Sequence, residues 1–149
     1  MKNSYRITKY KKYNSEGFLC SDTWSSFYDI GEKTTLEEYL KVEKEYIKII
    51  KKVCEYLNIG HLVVSDLEIN EKDFSKIKNN EKISSTQIDD IVKAILREKI
   101  WCKLKSKICE FHFGYDMYMY CVTDIDIFQF LKDNANILNI EAFNSPYLE

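Results

Sequence analysis

The stretch from Trp101 to Val122, WCKLKSKICEFHFGYDMYMYCV, alternates so regularly that it reads as back-to-back strands of one sheet. Phe111, Phe113, Tyr115, Met117, Met119 and Cys121 form one set, apolar or aromatic. His112, Gly114, Asp116, Tyr118, Tyr120 and Val122 form the other. A period of two sends the sets to opposite faces. This predicts one buried face and a second face rich in groups that can recognise a partner.

The rest of the chain supplies further strands and helices. Tyr5 to Tyr10 reads as a first strand, and Lys11 to Lys33 is a long connection carrying Gly17, Trp24 and Gly31. Connections of that length are uncommon in compact domains and are often functional. Thr34 or Thr35 caps a helix, with Glu37 or Glu38 completing a capping box. Its apolar stripe runs from Leu36 to Leu57, and Gly60 sits where a stop is expected. Leu62 to Ile69 reads as a second strand, and the polar stretch Asn70 to Lys82 as a loop with room for one helical turn. A second helix starts at Ser84, with Gln87 at its third position, and runs to about Lys99. After the aromatic strands, Asp124 caps a third helix, and Ile140 to Phe143 returns as a short strand. The order β-α-β-α-β-β-(β)-α-β predicts a single α+β domain over residues 1–149, with two to three helices packed on a mixed or mainly antiparallel sheet.

Composition narrows the functional classes. The 22 basic residues against 24 acidic ones leave a net charge of −2, without the basic excess of a nucleic-acid binder, so no nucleic-acid partner is expected. Cys20, Cys54, Cys102, Cys109 and Cys121 follow no metal-binding spacing, and neither a metal nor a cofactor is expected. Met1 to Tyr13 has no apolar signal region, and no run reaches the length of a membrane span. The expectation is a cytoplasmic protein with free, mostly buried thiols and no membrane partner. P-loop, GxGxxG, HExxH and GxSxG motifs are all absent from the sequence, which counts against the commonest catalytic classes.

Four constellations carry the remaining chemistry. If Gly114 and Tyr115 make a tight turn, His112 and Asp116 meet across a hairpin as a carboxylate-oriented base. If the strand runs straight, they lie about 13 Å apart, a sheet-surface histidine beside a turn aspartate. Both geometries fit the spacing, and no catalytic residue is assigned. Glu43 falls inside the apolar face of the first helix, where a lone carboxylate is costly to bury. Arg97 on the second helix can grip it with two parallel hydrogen bonds; a helix-edge or interface role is the alternative. In the long connection, Trp24 lies between Asp22 and Asp29. It reads either as a partner anchor or as a lid folded back on the core, with the carboxylates making local turns. Among the eleven tyrosines, Tyr118 and Tyr120 are expected to form an exposed recognition patch.

Taken together, YRITKY, DTWSS followed by DIG, TLEEYLKVEKEYI, LREKIWCKL and FHFGYDMYMY resemble a small uncharacterised bacterial protein family, from about Tyr5 to the terminal SPYLE. That family is similar in type to immunity proteins of polymorphic or contact-dependent toxin systems: small, cytosolic, α+β and aromatic-rich. The resemblance implies a protein that covers the active site of a cognate toxin domain, and it carries over no site residues. Read from the residues themselves, the candidate contacts are Asp22, Trp24, Asp29, Tyr118 and Tyr120, acidic groups for steering and aromatic ones for anchoring. Two other readings stand beside it. One is a small hydrolase or nuclease-like enzyme using His112 and Asp116; the other is a homo-oligomeric structural or regulatory module. A monomer or a homodimer is expected.

Overall fold

Helix α1 (Leu36–Tyr56) starts where Thr35, in extended conformation, accepts the amide of Glu38 on its side-chain oxygen at 3.1 Å. It stops before Gly60 is reached. Asn58 takes the left-handed conformation (φ 57°), and the amides of Asn58 and Ile59 return to the carbonyls of Glu55 and Cys54. This closure normally uses glycine, and asparagine tolerates the same backbone. Helix α2 (Ser85–Leu96) begins as expected, with Gln87 accepting the amide of Ser84 at 3.0 Å. It ends short of Lys99 because Glu98 turns left-handed (φ 62°), and the amides of Glu98 and Lys99 close on Ile95 and Ala94. Helix α3 (Phe128–Asn134) is preceded not by a capping Asp124 but by Asp126, whose Oδ1 accepts the Phe128 amide at 3.1 Å.

The computed structural model describes residues 1–71 and 77–148. In it, strands β1 (Asn3–Thr8), β2 (Leu62–Ile69), β3 (Lys82–Ile83), β4 (Ile100–Lys105), β5 (Cys109–Phe113), β6 (Tyr118–Thr123) and β7 (Asn139–Ala142) form one sheet. The order is β3-β2-β4-β5-β6-β1-β7, and every neighbouring pair is antiparallel. Strand β3 lies at the end of the stretch expected to be loop. The stretch with room for one helical turn includes residues 72–76, which lie outside the described residues. Among the described residues the fold is therefore α+β, with a wholly antiparallel sheet and three α-helices.

Register explains where the core sits. Tyr5, Cys121, Phe111, Leu104 and Val64 stand in one row across β1, β6, β5, β4 and β2. All five are buried, and they join Tyr39, Tyr46, Ile50 and Val53 of α1 and Ile88 and Val92 of α2 in one apolar cluster. Each large apolar side chain buried there contributes about 1.5–3 kcal/mol. No helix among the described residues is long and apolar enough to cross a membrane.

Candidate functional site

The second face of the sheet carries the set expected to recognise a partner, and much of it is covered by the protein itself. Glu141, Arg6, Tyr120 and His112 stand in a row across β7, β1, β6 and β5. Arg6 grips Glu141 with two hydrogen bonds, of 2.8 and 3.0 Å. Beyond β7 the chain turns back over this row as a strap. The amides of Phe143 and Ser145 are held by the carbonyl and hydroxyl of Ser4. The Phe143 ring centre lies 3.8 Å from the Arg6 guanidinium, and Tyr147 packs against Tyr120, Trp101 and His112. Tyr120 is consequently only 6% exposed, which corrects its expected place in an open patch. Tyr118 is half-buried between Tyr10 and Arg6.

His112 and Asp116 do not meet. The hairpin tip turns at Asp116 and Met117, both left-handed, and Gly114 pairs directly with Tyr118. Two tyrosine hydroxyls hold that strained tip, Tyr10 on the carbonyl of Asp116 and Tyr46 on that of Met117. The His112 ring is instead engaged at both nitrogens: Nδ1 is 2.8 Å from Ser145 Oγ and Nε2 is 2.9 Å from Glu110 Oε1. Burial holds this imidazole below its usual pKa, against the opposing pull of Glu110. A neutral ring donates from Nε2 to the carboxylate and accepts the Ser145 hydroxyl proton at Nδ1. The series is carboxylate, imidazole and hydroxyl, the components of a serine hydrolase. Its setting is that of a clasp, because His112 and Ser145 are both buried and Ser145 Oγ also accepts the Tyr147 amide. Glu110 and His112, two apart on one strand, were legible as neighbours on a single face. Ser145 carried no signal, since it arrives from the far end of the chain.

The long connection between β1 and α1 makes the second constellation. Trp24 is 8% exposed and packs on Tyr39, so of its two readings it takes the lid folded back on the core and not the partner anchor. Lys9 lies over the Trp24 and Tyr10 rings and donates to the Thr23 hydroxyl at 2.6 Å. Burial pushes its ammonium down to about 8. Asp29 accepts the amides of Ser25 and Ser26, and these hold its carboxyl below the usual range. That carboxylate is therefore engaged in the local turn, whereas Asp22 is exposed. Next to Asp29, Phe27 turns inward onto Tyr39 and Arg97, while Tyr28 turns outward and is 67% exposed.

Glu43 and Arg97 are in contact. The guanidinium gives two 2.9 Å hydrogen bonds to the buried carboxylate, and the Tyr39 hydroxyl adds a third at 2.7 Å. This group ties α1 to α2 and, through the Phe27 ring 4.7 Å from Arg97, to the connection as well.

All five cysteines are free. Burial pushes the thiols of Cys54 and Cys102 up to about 12, and the Cys121 sulfur raises Cys109 further, so none of these three is an activated nucleophile. Among the described residues, no group of three or more His, Cys, Asp or Glu side chains is placed to hold a metal ion. The fold and site define an α+β protein with a strapped sheet face and an aromatic connection braced by a buried ion pair. Compared with known proteins, the chain matches no family model, no curated protein and no solved structure.

Proposed function

We propose that this protein works by binding another protein, as an immunity protein that covers the active site of a cognate toxin domain. The observation that carries the reading is the opposed orientation of Phe27 and Tyr28. One ring is locked inward, so its neighbour is presented outward from a braced turn at little entropic cost. Leu36 and Leu40, one turn apart on α1, add exposed apolar surface a few residues further on. Asp22, Glu32 and Glu37 are exposed in the same stretch of chain and would steer a basic, nuclease-like partner. Trp24 supports this surface from beneath and makes no contact in the complex.

The test is co-expression with the product of the neighbouring reading frame, followed by affinity measurement. Tyr28→Ala and Leu36→Ala each weaken the complex by about tenfold or more at unchanged melting temperature. Failure of the neighbouring product to bind, or wild-type affinity in both variants, overturns the proposal.

A further inference from the structure

We propose that the groove where the α1–β2 turn, β3 and the β4–β5 turn meet binds a small organic phosphate, an anionic head on an apolar body. Lys82, Val63 and Lys105 stand in one row across β3, β2 and β4. The two lysines therefore rise from the same face on either side of a valine, about 10 Å apart at ordinary strand spacing. His61 and Lys107 line the same groove from the two turns at its end. It is open to solvent, with a volume of about 610 Å³, and no carboxylate is among the described residues lining it. The nearest one by register, Glu110 opposite Lys105, is engaged by His112.

In a chain of net charge −2, this gathering of cations is local and stands against the overall balance. Cations gathered along one groove repel one another, and a dianion placed among them relieves the repulsion. Ile59, Val63 and Ile108 supply apolar lining, so the site suits a phosphate carrying a ring or hydrocarbon better than phosphate alone. Both turns are held in place. Asn58 closes the end of α1, while the Ser106 hydroxyl accepts the Cys109 amide at 3.1 Å and Thr123 donates to the Ile108 carbonyl at 2.7 Å. A preformed site of this kind binds without first having to order its loops.

The inference is independent of the partner-binding reading and is tested with phenyl phosphate and inorganic phosphate as probes, using amide NMR shifts and calorimetry. Phenyl phosphate should saturate, with shifts confined to the amides of Gly60, His61, Val63, Lys82 and Lys107. It should bind about fivefold or more tighter than inorganic phosphate, because only the former uses the apolar lining. The double variant K82E/K107E should weaken binding by about tenfold or more, whereas K44E, an exposed charge reversal on α1, should stay within about twofold of wild type. Shifts scattered over the surface, equal losses in K44E, or equal affinity for the two probes would overturn the proposal. Binding to phosphatidic acid vesicles without binding of soluble phenyl phosphate would overturn it in favour of a membrane headgroup.

Discussion

Arg97 lays two parallel hydrogen bonds, each 2.9 Å, on the carboxylate of Glu43 and so joins the end of α2 to the middle of α1. The two partners are unequally buried: the Glu43 side chain is 2% exposed and that of Arg97 is 24% exposed. The inequality makes the pair asymmetric toward mutation. Arg97→Ala leaves a carboxylate buried without its charge partner and should cost about 3–5 kcal/mol. Glu43→Gln leaves a guanidinium that water can reach, and should cost about 2 kcal/mol. Urea unfolding of the two variants measures the order; equal losses would contradict the asymmetry.

Stability should fall in mild acid through His112. Its folded pKa lies below the ordinary value of 6.5 because the ring is buried, so below that pH the unfolded chain takes up the proton more readily. The contribution is fully present above 6.5 and is lost as pH falls through that value toward the depressed folded one. Comparing urea midpoints at pH 7.5 and 5 should show a smaller drop in His112→Gln than in wild type. Protection of the Ser145 and Tyr147 amides against hydrogen exchange, corrected for the intrinsic rate at each pH, should fall in acid, because a protonated Nδ1 becomes a donor that competes with the Tyr147 amide for Ser145 Oγ.

Glu98 occupies a backbone conformation that suits glycine, with φ at 62°. Glu98→Gly should therefore stabilise the protein by about 1 kcal/mol, read as a higher urea midpoint. Asn58→Ala, at the equivalent position after α1, should destabilise by about 1 kcal/mol.

Trp24 and Phe18 lie in the same connection and should respond unequally. Trp24→Ala opens a void against Tyr39 and removes the surface on which Lys9 lies, at a cost of about 3 kcal/mol. Phe18 is 65% exposed, and Phe18→Ala should stay within about 0.5 kcal/mol of wild type by thermal unfolding.

The parts of this fold legible in the sequence are those set by contacts close along the chain. Thr35 caps the first long helix as expected, though no glutamate side chain returns to complete a box, and Ser84 with Gln87 starts the second, since a cap involves residues three apart. The β2 boundaries were readable for the same reason, as was the alternation within β5 and β6, though not at the tip between them, where Tyr115 is exposed. The stop after α1 was legible in kind and misplaced by two residues, because Asn58 does what Gly60 was expected to do.

The sequence by itself determined that two sets of side chains point to opposite faces of a sheet. Only the tertiary structure decided which members of the second set meet water. That outcome depends on Ser145 and Tyr147 crossing the sheet to reach His112 and Tyr120. In the long connection, likewise, Tyr28 is left outside because Phe27 finds Arg97, far along the chain. Periodicity records the direction of a side chain relative to its own backbone; whether that direction ends in solvent is set by distant segments that local propensity does not encode.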